Sequence, residues 1–165
     1  MHKIFLITLA LLIICSTDLF DTSNLPGSGN FNLADAQEVE ITENFAEEVL
    51  QLVNIERKKV GAKPLKLSPH LTKYAAVRAE EITENFSHTR PNGSPCFTAV
   101  KISYREIGEN IAAGQRTPEA VVKSWMNSEG HRKNILNDKF GKLGVGYFYA
   151  PETEYKHYWV QLFKD

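Results

Sequence analysis

The sequence predicts an α+β fold in which helices come first and an antiparallel hairpin comes last. Three observations carry that expectation. Several segments repeat apolar residues at helical spacing behind capping signals. Two β-branched and aromatic runs near the C-terminus are separated by a short turn-forming stretch. Strands and helices do not alternate, which argues against a parallel βαβ fold. No internal repeats are visible.

Thr42 can cap the first helix, with Glu43 and Glu47 suited to its positive dipole end. Phe45, Val49, Leu52, Val53 and Ile55 then follow at helical spacing, and Asn54, Glu56 and Arg57 fall together on the more polar side. The basic run 57–59 favours the C-terminal end, and Gly61 can stop the helix there. Ser68-Pro69 is a second start signal, a capping hydroxyl followed by proline at the first helical position. Leu71, Tyr74, Ala75, Val77, Arg78 and Ile82 carry that helix to about Asn85. Pro91-Asn92-Gly93 then marks a turn, which puts His88 on a loop just past a helix end.

A short helix is expected over residues 96–102, and a short strand over 107–112 closed by Gly114. Thr117-Pro118 opens the last of four helices, with Val121, Val122, Trp125 and Met126 on its apolar face. It should end near 128–130, with His131 on a following turn. Residues 143–149 and 157–163 read as strands, joined into a hairpin by Pro151 to Glu154. Trp125 and Trp159 are expected in the core, His70 on a helix surface, and His157 on a strand facing solvent.

The N-terminus bounds the compartment. Residues 4–14 are apolar apart from Thr8, too short to span a bilayer and suited to an export signal. Ala34-Asp35-Ala36 has the small-x-small form of a cleavage site but lies far downstream. Cys15 is similar to a lipoprotein acylation site, although that signal calls for a small residue where Ile14 stands. Residues 1–36 therefore read as a signal peptide, or a retained N-terminal anchor, followed by a flexible linker. Residues 37–165 read as one domain, long enough to bury a core without disulfides. Only Cys96 lies in that domain, and it is expected to be buried. The formal net charge of −1 and the absence of a basic run leave no support for a nucleic-acid partner.

His88, Glu109 and His131 are the candidate functional residues. Two imidazoles and a carboxylate suit a zinc-type divalent metal, and the same groups can do acid–base work near neutral pH. Spacing alone decides neither, because the fold must bring them together. Cys96 lies eight residues from His88, and Ser87 and Ser128 also flank the candidates. Nothing in the sequence marks an activated thiol or an oxyanion hole, so nucleophilic catalysis is not expected.

Taken together, the segments resemble the CAP superfamily, named for cysteine-rich secretory proteins, antigen 5 and pathogenesis-related 1, and its bacterial SCP-like branch in particular. The resemblance runs through Asn54 and Arg57, Phe86-Ser87-His88, Gly108-Glu109-Asn110-Ile111, Trp125-Met126-Asn127-Ser128, Gly130-His131-Arg132, Gly144-Val145-Gly146 and Tyr158-Trp159-Val160-Gln161. It implies an α–β–α sandwich, a central antiparallel sheet flanked by helices, with a cleft lined by two His and two acidic residues. His88, Glu109 and His131 match three of those four positions. The fourth departs: Ser128 stands where many relatives carry Glu, and Glu129 beside it would point about 100° away on a continuing helix. Asn110, Arg132 and Asn134 are expected to support the site by tying down backbone. The cysteine framework of eukaryotic relatives is absent.

Three functions follow as expectations. The first is a secreted or envelope-associated, non-enzymatic binding module. Its His/Glu cleft would hold zinc or another divalent metal, its partner would be an envelope protein, an extracellular protein or a small ligand, and it would meet membrane only through a retained anchor. The second is a metal-dependent, protease-like hydrolase using the same cleft. The third is a binder of apolar ligands such as lipid or sterol. The missing second acid ranks the binding module above the hydrolase.

Overall fold

The computed structural model describes residues 33–165, and the expected export segment, Cys15 and most of the linker lie outside them. α1 spans Leu33–Lys59. It begins upstream of Thr42, so Thr42 is inside the helix, and residues 33–36, read as linker, form its first turn. Ala34, Ala36, Gln37, Glu38 and Glu40 are good helix formers with no Gly or Pro among them, so extending the helix is cheap. Its end is as expected. Arg57, Lys58 and Lys59 occupy the last turn, Gly61 takes φ +74°, and Gly61 and Ala62 donate back to the carbonyls of Lys58 and Arg57.

Arg57 departs from the polar-surface expectation. It is fully buried, and its guanidinium donates to the carbonyls of Lys63, Ile135, Asn137 and Phe140.

β1 is the two-residue strand Lys66–Leu67, too short for any periodic signal. α2 follows at Pro69–Glu84, with Ser68 Oγ accepting from the Leu71 N–H. The segment at 96–102 is shorter than expected, a 3-10 turn at Cys96–Ala99. β2 is Ile107–Ala113, and α3 is Pro118–Asn127, capped by Thr117. The helical path then breaks at Ser128, in extended conformation, and restarts as α4, Glu129–Leu136. His131 thus lies on a helix, not a turn. α4 is short and polar, with Ile135 its buried residue, so its apolar periodicity is too weak to read. β3, Lys142–Tyr149, and β4, His157–Lys164, form the expected hairpin. Trp125 and Trp159 are buried as expected. His157 is half-buried instead of solvent-facing, its Nδ1 lying 2.8 Å from Tyr147 Oη.

The sheet order is β1-β3-β4-β2. Its three long strands are antiparallel, and β1 adds a parallel edge against β3, so the sheet is mixed. The side chains of β4 alternate between two cores. Tyr158, Val160 and Leu162 pack with Leu71, Ala75, Ala79 and Ile82 of α2. Trp159 and Phe163 pack with residues of α1, α3 and α4. A strand buried on both faces between two helical layers makes this an α–β–α sandwich, and each fully buried large apolar side chain contributes about 1.5–3 kcal/mol.

Gly144 and Gly146 set the α2 layer. A Cβ on Gly146 would lie 2.1 Å from the Ala75 carbonyl oxygen, and one on Gly144 2.3 Å from the Leu71 carbonyl carbon. The helix backbone therefore rests directly on β3. That contact fixes the height of α2 over the sheet, and with it the height of Arg78.

Candidate metal centre

β2 is the sheet's edge strand away from β1, and its pleat sends neighbouring residues to opposite layers. Ile107, Ile111 and Ala113 pack on the α2 side, and Ala112 on the α3/α4 side. By the same alternation Glu109 faces α2 and Asn110 faces α4, and their hydrogen bonds agree.

The loop after α2 carries His88. Gly93, at φ +81°, forms the expected turn, donating to the Arg90 carbonyl. The Cys96 N–H donates to the His88 carbonyl at 2.9 Å. This returning chain holds the His88 ring beside Glu109, with Nδ1 2.8 Å from Oε1. The His88 side chain is 56% exposed, whereas that of Glu109 is 1% exposed.

Glu109 is surrounded by donors. Arg78, fully buried on α2, gives Nε to Oε2 at 2.9 Å and Nη2 to Oε1 at 3.4 Å. The Cys96 thiol lies close by, with its sulfur within 4.8 Å of the carboxylate. Two bonds from Arg78 and one from His88 fill three of the roughly four lone-pair positions of a carboxylate. Burial raises the Glu109 pKa, but the hydrogen bonds from His88 and Arg78 outweigh it and hold the group below the usual carboxylate range. An ionised carboxylate only accepts, so His88 Nδ1 carries the proton and Nε2 is the ring's outward nitrogen. Read from sequence as a candidate ligand, Glu109 in the structure accepts from Arg78 on Oε2 and lies against the His88 ring on Oε1, so it also orients that imidazole.

His131 arrives from the other layer. Its carbonyl accepts from Asn110 Nδ2 at 3.1 Å, tying the first turn of α4 to β2. The ring is half-buried. Burial lowers its pKa first and the nearby His88 second, which favours the neutral, metal-competent form at pH 7. His88 and His131 are therefore anchored to consecutive residues of one edge strand, from opposite sides of the sheet.

The residues named as supporting bond both backbone and one another. Asn134 Nδ2 donates to the Glu109 carbonyl and to Asn110 Oδ1, Asn110 also donates to Gln161 Oε1, and Arg132 donates to the Met126 carbonyl. Ser128 makes the break between α3 and α4, and Glu129 is exposed on the first turn of α4.

Two site residues escaped the sequence reading, Arg78 and Glu81, while Cys96 is buried as expected. Arg78 also donates Nη1 to Glu81 Oε2 at 2.7 Å, and Glu81 accepts from Arg90 at 2.9 and 3.1 Å. The signal for Arg78 was present. It lies on the stripe of Leu71, Ala75 and Ile82, where a charged residue demands a buried partner. Ligand atoms of His88, Cys96 and Glu109 all lie within 4.8 Å of one another. The Cys96 thiol, however, is pushed up to about 12, by burial first and by Glu109 second, so it is an unreactive thiol. A groove of about 650 Å³ against α1, lined by Asn54, Ile55, Lys58, Ala62 and Pro64 among others, is lined by none of His88, Glu109 and His131.

The CAP family model, described as the cysteine-rich secretory protein family, matches residues 50–163. The uncharacterized protein YkwD of Bacillus subtilis (strain 168) is 47% identical over 125 residues, covering 72% of this chain and 46% of that protein. A solved extracellular protein containing an SCP domain, from Bacillus anthracis str. Ames, is similar with TM-score 0.66 and 29% identity, over 83% of this chain and 45% of its own. NaASP2, solved with Zn2+, is similar in fold, with TM-score 0.56 and 17% identity, over 74% of this chain and 80% of its own. The chain thus spans under half the length of YkwD and of the anthracis protein. Fold and sequence agree, and the chain belongs to the CAP, or cysteine-rich secretory protein, family.

Proposed function

We propose that the domain is a non-enzymatic binding module, exported or held at the cell envelope, whose cleft takes a divalent metal of the zinc type on the imidazoles of His88 and His131. The observation that carries this reading is the bond from His88 Nδ1 to Glu109. It is the carboxylate–histidine arrangement that sets an imidazole for metal, leaving Nε2 to ligate. Export is supported by the apolar segment 4–14 and by the similarity to the extracellular anthracis protein. NaASP2 was solved with Zn2+, and at its identity to this chain the likeness is one of fold.

A hydrolase reading is weaker on chemical grounds. A general base works best with a pKa near the operating pH, and Glu109 is held below the usual carboxylate range with both of its oxygens hydrogen-bonded. Ser128 offers no carboxylate in its place.

The test is zinc titration by calorimetry on the full-length chain and on the His88→Ala/His131→Ala double variant. Micromolar binding by the parent, lost in a folded double variant, is expected. A parent that takes up no zinc sinks the proposal.

A further inference from the structure

We infer that Arg78 is the positioning residue of the His88 site, holding the ring through Glu109 and the backbone through the Ser87 carbonyl. Two bonds from its guanidinium go to Glu109. The same Nη2 donates at 2.8 Å to the carbonyl of Ser87, the residue before His88. One planar group therefore fixes both the acceptor that orients the imidazole and the peptide from which that imidazole hangs. The remaining nitrogen, Nη1, is taken by Glu81, which Arg90 grips from the far side of the His88 loop. Arg90, Glu81, Arg78 and Glu109 thus alternate in charge from the loop inward, and His88 ends the chain as a donor to Glu109.

The geometry needs arginine. Its fork has five donors in fixed directions, whereas a lysine ammonium is a point charge that can satisfy Glu109 or Ser87 but not both in register. Burial makes the arrangement stiff: Arg78 is 0% exposed and Glu81 18%. The Gly144 and Gly146 contacts leave α2 no room to move toward β3. His88 itself is the exposed end, so a rigid buried chain presents a solvent-facing ring in one tautomer.

The inference rests on the metal-binding reading for its affinity readout but not for its tautomer readout. Two-bond proton–nitrogen correlation spectra of the full-length chain, labelled in histidine nitrogen, report which His88 nitrogen is protonated. The parent is expected to show Nδ1–H. Arg78→Lys, which keeps the buried charge, is expected to move His88 toward the Nε2–H tautomer and to weaken zinc binding about tenfold, the low end for outer partners of a metal ligand. A folded Arg78→Lys protein with the parent's tautomer overturns the inference, whatever its thermal stability. If that variant does not fold, Glu81→Gln takes its place, since it frees the far end of the guanidinium. A smaller shift in the same direction supports the inference, and an unchanged tautomer overturns it. A parent without zinc affinity whose tautomer still depends on Arg78 would sink the metal reading and leave this one standing.

Discussion

Two buried arginines, Arg57 and Arg78, solve the same problem in opposite ways. Each is fully buried, and each must satisfy a guanidinium away from water. Arg57 does so with four backbone carbonyls, joining the end of α1 to the end of α4 and the approach to β3. Burial lowers its pKa, with Asp138 opposing. Arg78 does so with two carboxylates and one carbonyl. Burial lowers its pKa too, but its bonds to Glu109 and Glu81 outweigh that and raise it. Carbonyls are fixed dipoles, so Arg57 is a strut. Carboxylates carry charge and pass it on, so Arg78 couples the core to a titratable site. The lesson is that the partner, not the buried residue, separates a structural ion from a functional one.

The largest expected effect breaks the Arg78 side. Arg78→Met leaves Glu109 as an uncompensated buried charge and should cost about 3–5 kcal/mol in chemical denaturation. Arg57→Met orphans carbonyls at about 1–3 kcal/mol for each that stays buried; only the bonds to Ile135 and Phe140 are buried, those to Lys63 and Asn137 being within reach of water, so its deficit is of similar size but different character. Acid should shrink the Arg78→Met deficit, because Glu109 then takes up a proton, and should leave the Arg57→Met deficit unchanged. Equal pH dependence of the two deficits would remove the distinction.

Gly146→Ala is expected to come next, at about 1–3 kcal/mol or somewhat more, since the new Cβ meets the Ala75 backbone and not a flexible side chain. It should displace α2 and perturb the His88 resonances while leaving those around Arg57 in place. Denaturation and chemical-shift mapping on one sample check both halves.

The smallest effect is in the pH profile of stability. The folded pKa of Glu109 lies below its ordinary value of 4.5. Its contribution is therefore full above the unfolded pKa and is lost as pH falls through the folded one. His131 is also depressed, from 6.5. The unfolded chain then binds the extra proton, so stability rises with pH up to about the unfolded value and is complete above it. Glu109→Gln should flatten the acidic step and His131→Ala the one near neutrality, read from unfolding midpoints across pH.

Much of this was legible in the chain itself. Ser68-Pro69 and Thr117-Pro118 place two helix starts to the residue, because capping is local chemistry. The two aromatic runs give the hairpin for the same reason. Helix α4 was not legible, since Ser128 breaks the path within one residue and the new helix has little apolar face. Nor was β1, which exists only as a partner for β3. His88, Glu109 and His131 stood out by residue type, but Glu109's part did not, because spacing says nothing of what occupies its lone pairs.

The sequence by itself determined α1 to α3, β2, the closing hairpin and their order, since these rest on capping, local propensity and period. Tertiary structure decided the rest. Arg78 and Glu109 are 31 residues apart, and only the close seat of α2 on Gly144 and Gly146 brings them to hydrogen-bond distance. His88 and His131 attach to neighbouring residues of β2, Glu109 and Asn110, because β2 is an edge strand lying between the two helical layers. A guanidinium becomes a strut or a tuner according to what the fold places against it, and that is a property of packing, not of any segment.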